Sequence, residues 1–225
     1  MQYQPPKKIL EKYAELLVNC ALNSGEGIKQ GETVFIQVPE CAKPFLLPIQ
    51  NAVLKSGGHP IIQYLPDGIS KEFFELAGEH QLNFFPSKYL KGRIEDIDHL
   101  ISIIAEHDKQ ELEGVDPKKI MQRQKSFKPY MEWRDEKENA GKFTWTLALY
   151  GTEAMAKEAK LGLEEYWNQI IKSCYLDAEN PVGEWRRIFS EIDRLRKTLD
   201  SMPIKSLNIK SEEIDLNIGI DKNRR

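Results

Sequence analysis

The sequence predicts an α/β fold of three layers, a doubly wound and mostly parallel sheet with helices on both faces, ending in a short antiparallel hairpin. Three observations carry this. Short β-branched and aromatic runs alternate with amphipathic stretches from residue 9 onward. The first strand, helix and strand fit into about 35 residues, the size of a βαβ unit with a right-handed crossover. Near the end the pattern changes to a strict period of two.

The opening helix is read from Ile9, Leu10, Tyr13, Leu16, Leu17, Cys20 and Ala21, which fall on one helical face before Ser24-Gly25 stops it. Thr33 to Val38 has the composition of a buried strand. Pro44 to Leu54 follows as a helix with Leu46, Ile49 and Val53 inward, and Gly57-Gly58 supplies a cap that tolerates positive φ. Ile61 to Leu65 is the second strand. Lys71 to Gly78 and Pro86 to Asp98 read as helices, and Leu100 to Ala105 as a third buried strand. Asp116-Pro117 opens a charged helix, with Asp as N-cap and Pro at the first position, which Pro129 should kink or interrupt. Phe143 to Tyr150 is a fourth strand, followed by helices through Ser173 and from Val182 to Leu199. In the tail, Ser206–Ile209 and Glu213–Ile220 read as two strands, with Ile214, Leu216, Ile218 and Ile220 on one face. The expected organisation is an α/β domain over 1–203 and a hairpin or linker over 204–225. That final strand has no partner beyond it, and the expectation is that it leads toward a second domain absent from this chain.

Composition narrows the function. Residues 1–110 carry 11 basic and 14 acidic side chains and the remainder 21 of each, so no segment has the basic excess that phosphate backbones require. No apolar run reaches spanning length and the first residues lack a secretory h-region. Nucleic acid and membrane are therefore not expected as partners, and the cytoplasm is the expected compartment. Cys20, Cys41 and Cys174 are widely spaced without a CxxC, which disfavours both a disulfide framework and a zinc knuckle. Gly25, Gly27 and Gly31 precede the first strand, where a dinucleotide fingerprint would have to follow one. GxxxxGK[ST], HExxH and GxSxG are all missing from the sequence.

The candidate site residues are few. Asp67, just after the second strand, belongs at the carboxyl edge of the sheet, where doubly wound folds hold ligands; the competing reading of its Pro-Asp-Gly setting is a turn former. Glu75, Glu79 and His80 are the metal candidates, read as lying on one helix on which positions four apart share a face, against a plain solvated face. Trp145, Trp167 and Trp185 are read as core anchors.

Four segments, taken in order, resemble the thermophilic metalloaminopeptidases of the aminopeptidase T, aminopeptidase S and aminopeptidase II type. They are LEKYAELLVNCALNSGEGIKQGETVFIQV, FLLPIQNAVLKSGGHPIIQYLPD, ISIIAEHDKQELEGVDPKKI and IKSLNIKSEEIDLNIGI. The resemblance implies an exopeptidase that removes N-terminal residues from peptides with two divalent ions, zinc or cobalt. Paired ions of this kind lower the pKa of a bridging water and clamp the oxygens of the tetrahedral intermediate. It further implies that those ligands lie in the second domain, that this chain holds no catalytic residue and binds no metal, and that the full-length enzyme is a homodimer. Two other readings compete: a stand-alone module binding a small ligand near Asp67, and an interaction domain without a ligand.

Overall fold

The computed structural model describes residues 3–220 and divides into two compact units, Met1–Glu184 and Trp185–Arg225. In the first unit, helix α1 (Lys7–Asn19) is followed by strand β1 (Thr33–Pro39), helix α2 (Lys43–Lys55) and strand β2 (His59–Leu65). Three short helices, α3 (Ser70–Leu76), α4 (Glu79–Asn83) and α5 (Ser87–Asp96), lead to β3 (His99–Ile104). Helices α6 (Pro117–Ser126) and α7 (Lys128–Asn139) precede β4 (Thr144–Leu149), and α8 (Glu153–Glu158) and α9 (Leu163–Ser173) follow it. Helix α10 (Pro181–Ser201) begins in this unit.

The sheet has the order β2-β1-β3-β4 and every pairing is parallel. Because β2 and β3 flank β1 on opposite sides, right-handed crossovers put the intervening helices on opposite faces. This is the doubly wound α/β fold. Val34, Ile36 and Val38 are fully buried on one face of β1, where α2 packs with Phe45, Ile49 and Val53 also fully buried. On the other face Phe35 joins Ile94, Ile97 and Phe143, with Tyr130 and Trp133 of α7 against them.

That second face is covered only in part, over the central strand β1 and not over β4. The register aligns Leu100 with Trp145, Ser102 with Leu147 and Ile104 with Leu149, and Trp145, Leu147 and Leu149 are 44%, 51% and 38% exposed. Trp145 is thus no core anchor. It stands on an edge strand and donates its indole N–H to Glu138 Oε1 at 3.0 Å. Trp167 is a core residue, 1% exposed, and Trp185 is half-buried.

Local chemistry accounts for the element ends. Asp116 accepts the Lys118 N–H at 2.9 Å as N-cap, and the predicted long helix breaks at Phe127 so that Pro129 sits in the first turn of α7. Gly57 takes φ 79° after α2, while a Cβ on Gly58 would meet Ile28 Cδ1 at 2.7 Å. Several helix ends are closed by a cation from another element. Lys137 Nζ donates to the carbonyls of Ile94, Glu95 and Ile97 at the end of α5. Lys119 reaches Phe74 and Ala77 at the end of α3, Arg123 reaches Phe84 after α4, and Lys12 reaches Leu176 and Ala178 in the turn beyond α9. Lys137 and Lys119 thereby satisfy carbonyls that a helix end leaves orphaned and set positive charge against the negative end of the helix dipole.

The second unit consists of the rest of α10 and an antiparallel hairpin of β5 (Ser206–Lys210) and β6 (Asp215–Gly219). The register pairs Leu207 with Ile218 and Ile209 with Leu216, giving one apolar face and one polar face. None of its described residues is buried. Residues 221–225 of the expected linker lie outside the described residues.

Candidate functional site

In a sheet of this order the topological switch falls between β1 and β3, and the crevice at the carboxyl ends of the strands is where such folds bind ligands. A cleft of about 400 Å³ lies there, and Asp67, Cys41, His107, Thr152, Glu153 and Trp167 are among its lining residues. Each strand contributes through the residues just past its end. After β1, a tight turn over Glu40–Ala42 presents Cys41. After β2, Asp67 precedes Gly68, whose φ of 77° lets the chain turn away. After β3 comes His107, and after β4 come Gly151 and Thr152.

Asp67 is held by its backbone N–H, which donates to Glu40 Oε2 at 3.1 Å, and its carboxylate charge acts on the Cys41 thiol. Burial, then the Asp67 charge, push the Cys41 thiol up to about 11, so at neutral pH it is a thiol and not a thiolate nucleophile. Thr152 is 8% exposed; its hydroxyl donates to the Glu106 carbonyl at 2.6 Å and accepts the Met155 N–H at 3.2 Å, tying the ends of β3 and β4 together while capping α8. Trp167 donates its indole N–H to the Gly151 carbonyl at 3.1 Å. Aromatic rings continue beneath the cleft, with Tyr150 edge-on to Trp167 at 5.0 Å and Phe45 stacked between Tyr150 and Tyr13. Two carboxylates, Asp67 and Glu153, with no lysine or arginine among the described lining residues, make the cleft suited to a ligand that donates hydrogen bonds or carries an ammonium group.

The metal candidates do not come together as the sequence suggested. Glu75 lies in α3, whereas Glu79 and His80 open α4. The single helix fails because Ala77 turns extended with ψ 126° and Gly78, also extended, starts a new helix, its N–H donating to Gln81 Oε1 at 3.0 Å. All three residues are exposed. Among the described residues, no three of His, Cys, Asp or Glu converge where an ion could sit. The donor sets described here therefore do not fit a pair of ions.

Cys41, His107 and Thr152 were not singled out from sequence. The available signal was positional: each follows a strand end, and in a doubly wound sheet strand ends converge. At the opposite, amino-terminal edge lies a second polar cluster, centred on His99. His99, 4% exposed, makes hydrogen bonds of 2.8 Å from Nδ1 to Thr144 Oγ1 and from Nε2 to Glu32 Oε2. Nearby, Asp98 Oδ2 accepts the Thr33 N–H at 2.8 Å. These bonds tie β1, β3 and β4 where the strands begin.

A family model described as "Thermophilic metalloprotease (M29)" matches residues 6–225. The chain belongs to the M29 family. Among its M29-like relatives it is 25% identical to Aminopeptidase PepS of Streptococcus thermophilus, over 96% of this chain and 54% of that protein. It is 23% identical to Aminopeptidase 2 of Geobacillus stearothermophilus, over 89% and 50% respectively, and 22% identical to Aminopeptidase AmpS of Bacillus subtilis, over 95% and 53%. The structure of wild-type AmpT from Thermus thermophilus superposes with a TM-score of 0.72 at 20% identity, covering 95% of this chain and 54% of AmpT. The fold is thus that of the matched part of AmpT, and the M29 chain described here spans about half the length of the curated relatives it matches. No helix among its described residues is long and apolar enough to cross a membrane.

Proposed function

We propose that this chain is the amino-terminal, non-catalytic α/β domain of a metal-dependent aminopeptidase that removes N-terminal residues from peptides. The observation that carries the reading is a family match running from residue 6 to 225 together with coverage of only about half of each relative. In this reading residues 1–203 form the domain, and 204–225 are the hairpin that leads into a catalytic domain. The two divalent ions, zinc or cobalt, belong to that second domain, and no residue of this chain is assigned to the chemistry. The α/β domain forms part of the wall of the substrate chamber, and the full-length enzyme is a cytoplasmic homodimer without nucleic-acid or membrane partners.

The test is direct. The purified chain is titrated calorimetrically with zinc and cobalt and then assayed on aminoacyl p-nitroanilides with each metal. The expected outcome is no stoichiometric metal site and no hydrolysis; turnover by this chain alone overturns the reading. The cleft favours one second reading, a stand-alone module for a small cationic ligand. Binding of amino-acid amides that is abolished by Asp67→Asn supports that module.

A further inference from the structure

The two outer strands of the sheet differ at their free edges. In a parallel ladder every second residue turns its N–H and C=O to the neighbouring strand, and the residues between turn theirs away. The His59 N–H donates to the Glu32 carbonyl at 2.8 Å, so Pro60, Ile62 and Tyr64 form the outer edge of β2, where Pro60 has no N–H to present. In β4 the Thr144 N–H donates to the Asp98 carbonyl at 3.1 Å and the Tyr150 N–H to the Ile104 carbonyl at 2.9 Å. Trp145, Leu147 and Leu149 therefore turn their backbone groups outward, and among the described residues those groups find no partner.

The same three residues carry the exposed side chains of the second face. Strand β4, six residues without a proline, a glycine or a charge, is thus open along its edge and over its face. Natural sheets blunt such edges, as Pro60 does on β2, because a row of unpaired N–H and C=O groups is a template for another strand. A strand laid antiparallel on β4 exchanges both hydrogen bonds with each of the three residues, and the side chains opposite them lie beside theirs at about 5 Å. Apolar side chains at alternate positions match that strip.

Charge sets the direction and the kind of occupant. Past the carboxyl end of β4 stands Glu153, exposed in the cleft wall, while Lys109 after β3 is taken up by Glu106 and Glu158. Before the amino end stands Lys142, exposed and in no ion pair among the described residues. An antiparallel peptide with free ends brings its ammonium toward Glu153 and its carboxylate toward Lys142. The strip is roughly 20 Å long and one strand wide, well short of the roughly 800 Å² a side that a stable protein interface buries. We propose that the outer edge of β4 binds a short extended peptide of about the strand's own length, antiparallel, with free ends and apolar residues at alternate positions. This goes beyond the proposed function, because binding at the edge needs neither metal nor turnover; only the direction of the peptide rests on the reading of the cleft as a site for an ammonium group.

The experiment is a calorimetric titration of the full chain with the peptide Thr-Leu-Thr-Val-Thr-Leu, its ends free. The expected result is saturable one-to-one binding. N-methylation of the valine removes an N–H that faces β4 and should weaken binding on the order of tenfold, whereas N-methylation of the threonine before it, whose N–H faces solvent, should change it little. N-acetylation and Glu153→Gln should each weaken binding severalfold, and the acetylated peptide should no longer sense Glu153→Gln. Leu147→Pro, which blunts the edge as Pro60 does on β2, should abolish binding; circular dichroism checks its folding, and the peptide series decides the matter alone if it does not fold. No binding by the native chain overturns the proposal, and if amino-acid amides still bind in the cleft, the reading of the cleft survives it. Equal effects of the two N-methylations overturn edge pairing. Indifference to acetylation overturns the antiparallel direction. A dimer seen by sedimentation without peptide and dissolved by Leu147→Pro places a second copy on the edge and overturns the peptide as its occupant.

Discussion

At Cys41 a thiol normally half-way to reactivity is held back. Removal from water and the neighbouring Asp67 carboxylate both disfavour the thiolate, and together they push the group up to about 11. Replacing Asp67 by Asn removes the charge and leaves the burial. The expected outcome is a Cys41 that alkylates several-fold faster with iodoacetamide at pH 8, read by mass spectrometry of the Cys41 peptide; an unchanged rate would mean that burial alone sets the thiol. At the other edge of the sheet Glu32 is shifted the opposite way. Burial acts to raise it, but the Lys29 N–H and the His99 imidazole outweigh burial and hold it below its ordinary value. A carboxylate with a depressed folded-state pKa contributes stability above its unfolded value and loses that contribution as pH falls through the folded one. Urea unfolding of the native chain should therefore weaken below about pH 4.5, the ordinary carboxylate value. Glu32→Gln should flatten this acid limb and cost about 1 kcal/mol near neutrality through the weaker bond to His99.

The elements of the first unit are short, and long-range caps compensate for that. Lys137 closes the end of α5 through three carbonyls. Lys137→Met keeps most of the aliphatic stem and removes the donors, so the loss should be about 1.5–3 kcal/mol, a fall in Tm of roughly 4–10 °C. A smaller loss would show that water replaces the ammonium without cost. Gly151 is constrained by packing: a Cβ there would meet Tyr166 Cδ1 at 2.9 Å and Trp167 Nε1 at 3.0 Å. Gly151→Ala should cost about 1–3 kcal/mol and shift near-ultraviolet tryptophan ellipticity. Such dependencies mark the limit of what the sequence made legible. Strand composition, the Asp116 cap and the Gly57 turn were readable because each is local, and all four parallel strands lie where the β-branched runs put them. The break at Ala77-Gly78 was not readable, because Glu75 to His80 has helical spacing and an extended Ala77 is imposed from outside, with Lys119 holding the carbonyls of Phe74 and Ala77. The exposure of Trp145 was also hidden, since a strand's composition does not say whether a helix covers its face. Asp67 could be placed at the cleft from its position after a strand, while Cys41, His107 and Thr152 join it through topology.

The two units of the molecule hold their structure by different means. In the first, β1 and β3 are central strands whose inward side chains Val34, Ile36, Val38 and Ile101 are fully buried, so opening their hydrogen bonds requires exposing the core. In the second, the hairpin has the regular register of a folded pair, from Ser206 opposite Gly219 to Lys210 opposite Asp215. Yet Leu207, Ile209, Leu216 and Ile218 remain 41–48% exposed. A two-stranded ribbon without a third strand or a covering helix is marginal in water, because its hydrogen bonds exchange with solvent at little cost and its apolar face gains little from burial. Native-state hydrogen exchange should therefore separate the units. Amides of β5 and β6 are expected to exchange sooner than those of β1 and β3 by roughly two orders of magnitude or more, measured by mass spectrometry on peptides spanning 206–219 and 33–39. Equal protection in both peptides would mean that the hairpin's apolar face is covered in solution, and the reading of it as an unfinished lead into a second domain would fall.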